Sequence, residues 1–331
     1  MHTPKVSVLM PVFNGARYLR EAIESILNQT FDDFEFLIID DGSTDMSREI
    51  ISSYTDSRII LRTNTVNKGI VEVLNEGLLH AKGMYIARMD CDDISLPHRL
   101  ERLVSFMDKH NEIGIAGSSL RLIKNGKLKN TKLLPETNEE LKITLLFNTC
   151  FFHPTVIIRK AIINNNCYPG NRAHAEDYNF WTIMAPKTEF ANLKETLLYS
   201  REHSEQISQQ NALVQKRNAS LIRKTYFLSI FDSINEQEFE IHQQIAANDI
   251  GIDIEKAMVW LEYLIRINQQ KNTFSPQIFN SYMSNKWWNC CRKNTQYGKD
   301  IIKKYKSFKF LSCYKPSPYK YFKFLLKCYL R

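Results

Sequence analysis

The first ninety residues alternate between short apolar runs and segments with apolar residues at helical spacing. Residues 6–12 form a nearly continuous apolar run, which is typical of a strand buried on both faces, and residues 34–40 predict a second buried strand. Shorter runs at 58–61 and 85–89 have the same character. Between these runs, apolar residues recur every three or four positions and predict helices. Strands and helices in this order predict right-handed βαβ units and a mostly parallel sheet.

Residues 97–201 mix the two patterns, and the residues after about 211 carry the helical pattern alone. We therefore expect an α/β domain over 1–210, with a Rossmann-like, mostly parallel central sheet flanked by helices, and an all-helical extension over 211–331. In the mixed stretch, the pattern predicts helices at 97–109 and 139–147, a helix that begins at Glu176, and strands at 113–117, 119–123, 155–158, 189–193 and 196–201. In the helical stretch, it predicts helices near 211–231, 235–248, 254–268 and 276–290.

Polar clusters lie at, or shortly after, the ends of the four strands predicted in the first ninety residues. In parallel α/β sheets, ligands bind at the carboxyl ends of the strands, which meet at one edge of the sheet. The sequence therefore predicts that a binding site is formed at this edge by residues 14–15, 40–42, 67–69 and 90–93.

The most acidic of these clusters places three carboxylates within four positions. Asp90, Asp92 and Asp93 would repel one another in a folded site unless a cation neutralised them. Oxygen ligands in this number suit Mg²⁺ or Mn²⁺, which keep coordination positions open for phosphate oxygens and water. If the strand continued, Asp90 and Asp92 would project the same way and Asp93 would point elsewhere. The alternative is a solvated acidic turn before a helix, with Asp93 or Ser95 as the N-cap.

Two common nucleotide-binding motifs are absent from the sequence. No Gly-x-Gly-x-x-Gly follows the first strand, which argues against a dinucleotide dehydrogenase, and the lack of Gly-x-x-x-x-Gly-Lys-Ser/Thr excludes a P-loop enzyme. Phosphates must therefore be held in another way. A metal ion bound to carboxylates is one such way, so we interpret the acidic cluster as a site for a metal-bound diphosphate.

Composition and charge limit the class of protein. The 331 residues are 44% hydrophobic, which allows a sizeable core and excludes a disordered chain. The net charge is +8, but residues 301–331 contain nine Lys or Arg and no Asp or Glu, so the rest of the chain is almost neutral. This weakens the case for a nucleic-acid-binding core, and we expect no nucleic-acid partner. The seven cysteines are scattered without zinc-ligand spacing and are expected to be reduced.

The sequence also bears on where the protein works. No window approaches the roughly 20 consecutive apolar residues of a spanning helix, and the N-terminus lacks the basic and apolar regions of a signal peptide. We therefore expect a cytoplasmic protein.

The C-terminal tail predicts a contact with a membrane. Lys320, Lys323, Lys327 and Arg331 form one helical stripe beside a broad aromatic and aliphatic face. This combination is typical of a helix that lies on an anionic membrane, so we expect peripheral contact with the inner membrane through 301–331. The alternative is a helix that docks onto the catalytic domain with its lysines in solvent.

Five motifs, in order along the chain, resemble those of the family 2 glycosyltransferases. The resemblance runs from residue 5 to about 208 and leaves the helical remainder uncovered. Each motif is weak alone, but the set is specific. The motifs are Pro-Val-Phe-Asn-Gly at 11–15, Ile-Asp-Asp-Gly-Ser-Thr-Asp at 39–45, Asn-Lys-Gly at 67–69, Ala-Arg-Met-Asp-Cys-Asp-Asp at 87–93, which resembles the family's Asp-x-Asp (DXD) element, and Ala-Glu-Asp at 175–177, which resembles its Glu-Asp element.

The resemblance implies a GT-A fold, with nucleotide-sugar binding over about 1–110 and an acceptor and catalytic part over about 111–210. It also implies transfer from a nucleotide-diphosphate sugar with inversion, aided by Mn²⁺ or Mg²⁺, and a UDP-sugar is expected by family analogy. Asp92 would bind the metal that bridges the phosphates, and His203 is either a further ligand or a structural histidine. The positions implied for nucleotide-sugar binding are Pro11, Val12, Asn14, Asp41, Lys68, Arg88, Asp90 and Glu176, with Asp41 accepting a hydrogen bond from the base and Asp90 holding the ribose.

Inverting transfer needs a base opposite the leaving group, and Asp177 matches the family's position for it. A pKa raised by partial burial, with Glu176 and Trp181 nearby, would suit that role. The alternative for Asp177 is a carboxylate that merely favours a helix start through the helix dipole. His153 either lines the acceptor side or is structural, Trp181 is expected in the core, and Cys91 is expected to be incidental.

These expectations combine into one hypothesis. The chain would move a hexose or N-acetylhexosamine to a glycan or lipid-linked glycan acceptor in surface polysaccharide or lipopolysaccharide biosynthesis. One rival is a nucleotide-sugar binding protein that has lost catalysis, against which the intact set of carboxylates argues. A weaker rival is a nucleic-acid binder that uses the basic tail, which predicts salt-sensitive binding.

Overall fold

The computed structural model describes residues 3–163, 167–203 and 211–330. In this part of the chain, nine strands form one sheet. The strands are β1 (Val6–Val12), β2 (Phe34–Asp40), β3 (Ile59–Thr63), β4 (Tyr85–Arg88), β5 (Ile94–Ser95), β6 (Ile113–Lys124), β7 (Lys127–Lys132), β8 (Ile157–Arg159) and β9 (Glu189–Glu202). The α-helices are α1 (Ala16–Leu27), α2 (Ser47–Ser52), α3 (Ile70–His80), α4 (Arg99–Lys109), α5 (Asn138–Thr144), α6 (Glu176–Met184), α7 (Ala212–Phe231), α8 (Glu236–Ala247), α9 (Ile254–Lys271), α10 (Pro276–Lys293), α11 (Lys299–Ser307) and α12 (Pro318–Tyr329).

The sheet has a parallel half and a mixed half. Its strand order is β3-β2-β1-β4-β8-β6-β9-β5, with β7 paired to β6. The four strands from β3 to β4 are parallel, whereas β8 runs antiparallel to both β4 and β6, and β6 and β9 are again parallel. The predicted α/β class with a helical C-terminal region is confirmed, and the parallel arrangement holds for the first four strands rather than for the whole sheet.

The register of the parallel half brings its loops to one edge. Val12 lies opposite Asp40, and Asp40 lies opposite Thr63. The residues that follow β1, β2 and β3 therefore start from the same level of the sheet. Because β4 is parallel to β1, the acidic segment 90–93 leaves the sheet at this edge too.

Two long strands replace two predicted pairs. β6 covers both predicted strands at 113–117 and 119–123, and β9 covers both at 189–193 and 196–201. Ser118 pairs with Leu193 and Ser119 with Thr196, so the ladder continues past an irregularity that holds two extra residues of β9. This bulge explains why the apolar pattern is interrupted between 193 and 196 although β9 continues through these residues.

Smaller differences concern short elements. β5 was not predicted, because two residues leave no readable pattern, and it pairs with β9. The predicted strand at 155–158 is a short 3₁₀ helix, His153–Thr155, followed by β8. Asn125 and Gly126, both at positive φ, form the hairpin turn between β6 and β7.

The core of the sheet comes from strands that are buried along their whole length. Every residue of β1 and of β2 is buried, as expected for strands covered on both faces. Helix α1 packs one stripe against this core, and α4 does the same at the usual helical spacing. The stripes consist of Leu19, Ala22, Ile23 and Ile26 in α1, and Leu100, Leu103, Val104 and Met107 in α4.

The chain divides into two compact units. The first comprises Met1–Leu141 and Thr149–Ala219, and the second comprises Lys142–Asn148 and Ser220–Arg331. The predicted domain boundary at 210 lies outside the described residues, so that division stays a prediction. The predicted helices of the second unit are confirmed as α7 to α10, and α8 begins at a capping box formed by Asn235 and Glu238. No helix among the described residues combines the length and the apolar character required to cross a bilayer.

The turn after β2 requires glycine for two reasons. Gly42 has a φ of +72°, where side chains are disfavoured, and a Cβ on it would lie 2.8 Å from the carbonyl carbon of Val66. The loop 64–69 therefore passes directly against the turn, and this contact fixes the position of the loop that carries Lys68.

Gly42→Ala should destabilise the first unit more than Gly126→Ala. Gly126 has nearly the same φ, +70°, but open space around it, so both substitutions carry the conformational cost of about 1–2 kcal/mol and only Gly42→Ala adds a clash with the backbone. We expect an additional loss of about 1–3 kcal/mol in the free energy of unfolding by urea. Equal losses for the two variants would contradict the close approach of the loop.

Candidate active site

Hydrogen bonds join the loops that follow β1 and β2. Asn14 has a φ of +51°, its backbone N–H donates to Ser43 Oγ at 3.0 Å, and its Oδ1 accepts from the backbone N–H of Thr44 at 2.9 Å. The backbone N–H of Ala16 donates to Asp45 Oδ2 at 3.0 Å. The two loops therefore form one connected surface at the carboxyl edge of the sheet.

Two of the residues expected to bind the nucleotide sugar are part of the sheet itself. Pro11 and Val12 lie within β1, and both are buried. The carbonyl of Val12 accepts from the backbone N–H of Asp41 at 2.8 Å. Their buried side chains therefore fix where β1 ends, and the exposed Asn14 follows the end of this strand.

The carboxylate of Asp41 is the anchor of the loop that carries Lys68. Its Oδ1 accepts from Asn64 Nδ2 at 2.9 Å and from the backbone N–H of Lys68 at 3.0 Å, and its Oδ2 accepts from the backbone N–H of Gly69 at 2.8 Å. Lys68 in turn donates from Nζ to Asn64 Oδ1 at 2.7 Å. A carboxylate has about four lone-pair positions, so one position on Oδ2 remains for a ligand.

The three carboxylates after β4 converge. Asp90, Asp92 and Asp93 each offer an oxygen atom within 4.8 Å of the others. The expectation that Asp93 points elsewhere is wrong, because β4 ends at Arg88 and the chain turns at 91–93 instead of continuing as a strand. Asp93 is buried, its Oδ1 accepts from the backbone N–H of Arg201 at 3.0 Å, and its Oδ2 has no hydrogen-bond donor among the described residues.

Burial and the repulsion between neighbouring carboxylates raise the pKa values of Asp92 and Asp93. The pKa of Asp92 is raised by burial and by the charge of Asp90, and the pKa of Asp93 is raised well above its ordinary value by burial and then by both neighbours. The pKa of the Cys91 thiol is also raised, first by burial and then by the adjacent carboxylates, so its thiolate is disfavoured. The cluster therefore holds more negative charge than its protein neighbours compensate.

Arg88, the last residue of β4, supplies the positive charge beside the cluster. Its guanidinium is buried and forms an ion pair with Asp90. Burial is the largest single influence and would lower the pKa of Arg88, but the charge and hydrogen bond of Asp90, together with the charges of Tyr168 and Asp93, raise it. Arg99, which is fully buried, holds the strand end from behind by donating from Nη2 to the carbonyl oxygens of Arg88 at 2.6 Å and Pro154 at 3.0 Å.

His203 reaches the cluster from the end of β9. Its Nε2 lies 3.0 Å from Asp92 Oδ2, and its ring contacts Tyr18 with the ring centroids 5.1 Å apart. The pairing of β5 with β9, together with the bond from Arg201 to Asp93, fixes β9 next to the acidic turn. The two candidate metal ligands, Asp92 and His203, are thus adjacent although 111 positions separate them.

The Glu-Asp pair begins α6. Burial, and then the charge of Glu176, raise the pKa of Asp177 to about 7. Burial also raises the pKa of Glu176, whose Oε2 has no hydrogen-bond donor among the described residues. Trp181, expected in the core, is fully buried one turn further along α6. A carboxyl group with a pKa near 7 has the proton affinity that a general base needs at neutral pH.

Electrostatic interactions connect the Glu-Asp pair to the acidic cluster. The charge of Arg88 lowers the pKa of both Glu176 and Asp177, and the charge of Asp90 raises that of Glu176. Such interactions fall off steeply with distance and with solvent screening. Arg88 therefore lies within electrostatic range of both carboxylate groups.

Sequence reasoning missed Tyr168. Its hydroxyl lies 3.0 Å from His153 Nε2, and its ring stacks on Phe180. Tyr168 is buried, and it interacts electrostatically with Arg88 and Asp177. Asn75 of α3 holds its backbone from both sides, accepting from the Tyr168 N–H at 2.8 Å and donating to its carbonyl at 2.9 Å. No local motif could have pointed to Tyr168, because Asn75 is 93 positions away.

His153 is half-buried beside Tyr168, and its surroundings disfavour the charged imidazole. Burial, together with the charge of Arg88, lowers the pKa of His153 well below its ordinary value. Its ring also meets Trp181 edge-on, with centroids 5.9 Å apart. The histidine therefore packs in the wall near Asp177 rather than acting as a charged group.

The acidic cluster fits a divalent cation. Its donors are carboxylate oxygens and one imidazole, which suit Mg²⁺ or Mn²⁺. Asp93 Oδ2 is a buried oxygen with no donor among the described residues, and the raised pKa values of Asp92 and Asp93 indicate negative charge that is not neutralised. Asp90, Asp92, Asp93 and His203 are the groups from which ligands would come.

Comparison with known proteins identifies similar sequences. The model of the family "Glycosyl transferase family 2" matches residues 7–165. An uncharacterized glycosyltransferase of Haemophilus influenzae is 30% identical over 305 residues, covering 85% of this chain and 86% of that one. The O-antigen biosynthesis glycosyltransferase WbnJ of Escherichia coli is 35% identical over 224 residues, covering 65% of this chain and 86% of WbnJ. The E. coli enzyme WfgD, a UDP-Glc:alpha-D-GlcNAc-diphosphoundecaprenol beta-1,3-glucosyltransferase, is 34% identical over 179 residues, covering 53% of this chain and 68% of WfgD.

Comparison with solved structures bears on the fold. Residues 1–349 of S. aureus TarS, solved in complex with UDP-GlcNAc, match with a TM-score of 0.57 over 92% of this chain and 90% of that one, at 18% sequence identity. The likeness shows a shared fold, and the predicted GT-A fold is confirmed.

Asp177→Asn should change how stability depends on pH. The folded-state pKa of about 7 lies above the unfolded value, so the protonated carboxyl group stabilises the folded chain below the unfolded pKa, and this stabilisation is lost as pH rises through about 7. The variant lacks this loss. Between pH 5 and pH 8, the free energy of unfolding of the unmodified protein should therefore fall by about 2–3 kcal/mol more than that of the variant.

Asp45→Asn is the matched control for this experiment. Burial would raise the pKa of Asp45, but hydrogen bonds from Ser47 and Ala16 outweigh it and lower the pKa. Its stabilising carboxylate is therefore present at both pH values, and its loss should cost the same at each. An identical pH dependence for Asp177→Asn and Asp45→Asn would contradict the raised pKa of Asp177.

Proposed function

The chain belongs to glycosyl transferase family 2, and from this premise we propose that it moves a hexose or N-acetylhexosamine from a UDP-sugar to a glycan or lipid-linked glycan during surface polysaccharide biosynthesis, with inversion at the anomeric carbon. The observation that carries the proposal is the position of Arg88, whose charge acts on Asp90 and on the pair of Glu176 and Asp177. The acidic cluster, as the cation site, and Asp177, as the base of raised pKa, would therefore take part in one reaction.

The donor nucleotide would bind at the joined loops after β1 and β2. The remaining lone pair on Asp41 Oδ2 would accept from a ring N–H of the base, while Asn14 and Lys68 lie on the surrounding loops. The four hydrogen bonds that hold Asp41 and Lys68 pre-organise this pocket, which reduces the ordering cost of binding. A uridine base is supported by the description of WfgD as using UDP-Glc and by the TarS complex with UDP-GlcNAc.

The diphosphate would lie at the acidic cluster. Asp92 and His203 would hold a divalent cation there, with Asp90 oriented by Arg88 toward the ribose. When bound, Mn²⁺ or Mg²⁺ would act as a Lewis acid that offsets negative charge on the leaving diphosphate. Arg88 itself limits the repulsion between the donor's phosphates and the carboxylates.

Asp177 would act as the base. Asp177 takes the proton of the acceptor hydroxyl while the hydroxyl oxygen forms a bond to the anomeric carbon. At the same time, the bond between the anomeric carbon and the diphosphate oxygen breaks, and its electron pair leaves on that oxygen. The pKa of about 7 leaves a substantial fraction of Asp177 ionised at neutral pH and gives it enough basicity to take the proton. Tyr168 and His153 would form the wall that keeps this carboxylate away from bulk water.

The acceptor would be presented at a membrane surface. WbnJ is described as an O-antigen biosynthesis enzyme, and the name of WfgD gives a diphosphoundecaprenol-linked sugar as its acceptor. The basic tail at 301–331 would give this chain peripheral contact with the membrane that carries such an acceptor.

Asp177→Asn should abolish transfer and leave donor binding nearly intact, because the amide cannot take the acceptor proton. We expect a loss of about 10²–10⁴ in kcat, measured by release of UDP in the presence of acceptor. In the unmodified enzyme, kcat should rise with pH through about 7. Substantial transfer by Asp177→Asn would exclude this residue as the base.

Glu176→Gln tests the same assignment through the pH profile of kcat. The charge of Glu176 raises the pKa of Asp177, so removing it should move the rising limb of the pH profile to lower pH. An unshifted limb would show that another group titrates in the profile.

Asp92→Asn should remove metal-dependent donor binding. Calorimetry with a UDP-sugar should show tighter binding with Mn²⁺ than with EDTA in the unmodified protein, and little difference in the variant. Asp108→Asn, which alters a half-exposed carboxylate paired with Lys5, is the control and should retain the difference. Equal metal dependence in both variants would contradict a cation site at Asp92, and donor binding without any transfer or hydrolysis would favour the rival binding protein.

A further inference from the structure

Helix α12 divides its surface into three sectors. At about 100° per residue, its buried positions, its exposed apolar positions and its lysines occupy separate arcs around the helix axis. A helix that merely packs on a protein needs one apolar sector and one polar sector. The second apolar sector is therefore the feature that needs an explanation.

The buried sector attaches α12 to its own unit. Phe324 and Cys328 are buried, and the Phe324 ring meets Trp288 and Tyr305 edge-on at centroid distances of 5.1 and 5.9 Å. Tyr321 extends this cluster, 5.9 Å from Tyr305. This side of α12 thus packs on helices of its own unit, whereas the alternative considered for the tail was docking onto the catalytic domain.

The exposed apolar sector lies on the opposite side. Its members lie within roughly 100° of one another around the axis, so they form one continuous stripe. Four of them are more than half exposed, although each is an aromatic or a leucine. They are Tyr319 (73% exposed), Phe322 (65%), Leu326 (47%), Tyr329 (62%) and Leu330 (76%).

The third sector is cationic and borders the apolar stripe. Lys320, Lys323 and Lys327 are all exposed, and none of the ion pairs found among the described residues involves them. Their own segment supplies no acidic partner, because residues 301–331 contain no Asp or Glu. Arg331, which was expected to continue the stripe, lies outside the described residues.

We propose that α12 docks on an anionic lipid surface through the stripe of Tyr319, Phe322, Leu326, Tyr329 and Leu330, with Lys320, Lys323 and Lys327 at the level of the headgroups. Aromatic and leucine side chains enter the boundary between headgroups and acyl chains, and lysines beside them meet anionic headgroups. This deepens the proposed function, since it specifies the surface through which the enzyme would contact the membrane that carries its acceptor.

Charge favours lipid over a second copy of the chain. A two-fold dimer through this stripe would bring the three lysines of one copy close to those of the other, with no carboxylate on the same segment to compensate. An anionic bilayer instead offers a phosphate to each lysine. Each lysine near such a surface strengthens binding about fivefold.

Flotation of the full chain with vesicles tests the proposal. The vesicles are phosphatidylcholine alone, or phosphatidylcholine with phosphatidylglycerol. The unmodified protein should float with the anionic vesicles and less at high salt. The variant Phe322→Ser/Leu326→Ser/Tyr329→Ser should bind at least about tenfold more weakly. The variant Lys320→Gln/Lys323→Gln/Lys327→Gln should lose on the order of a hundredfold at low salt.

Two control variants carry matched changes elsewhere. Leu79→Ser/Val259→Ser removes exposed apolar side chains, and Lys127→Gln/Lys129→Gln/Lys132→Gln removes three cations from the exposed strand β7. Both should float like the unmodified protein. Thermal unfolding identifies any variant that fails to fold, in which case the single substitution Phe322→Ser replaces the triple one.

The outcomes are distinct. If the protein stays unbound with anionic vesicles, or if the α12 variants float as well as their controls, the proposal is overturned. If light scattering shows a dimer that Phe322→Ser/Leu326→Ser/Tyr329→Ser converts to a monomer while flotation is unchanged, the occupant is a second copy and the proposal is again overturned. Donor binding should be equal in all variants, so failure to bind a UDP-sugar would count against the proposed function and not against docking.

Discussion

The candidate site depends on a buried guanidinium surrounded by carboxylates. Arg88 is the last residue of β4, its side chain is buried, and Arg99 donates a hydrogen bond to its backbone carbonyl. An unpaired charge in such a position costs several kcal/mol, and the same holds for the carboxylates if Arg88 is removed. Asp90 forms an ion pair with the guanidinium, while the charges of Asp93 and of the Glu176–Asp177 pair also interact with it. Arg88 thus makes it possible to gather acidic groups that would otherwise repel one another.

The two halves of the sheet bring different parts to this position. The parallel half supplies the loops after β1 and β2 and the acidic turn after β4, because parallel strands end at one edge. The mixed half returns β9 to that edge, where it delivers His203, and its last residues are fixed by β5 and by Asp93. The mixed topology is therefore a requirement of the site.

The sequence predicts those parts of the site that lie at strand ends. The apolar runs of β1, β2 and β4 and the polar clusters after them are local patterns, and so is the helix start at Glu176. The direction of Asp93 was predicted wrongly because β4 ends at Arg88, one residue before the predicted end of the strand, and the chain then turns at 91–93. The Tyr168–Asn75 clamp and the bulge of β9 could not be predicted, since each depends on a partner that only the tertiary fold brings near.

The most direct test of the central claim is a crystal structure of the protein with a UDP-sugar and Mn²⁺, using anomalous scattering to locate the ion. The account predicts a manganese ion bound by Asp92 between the protein and the diphosphate, with the anomeric carbon between that diphosphate and the carboxylate of Asp177. An ion bound elsewhere, or a sugar whose anomeric carbon faces away from Asp177, would contradict it.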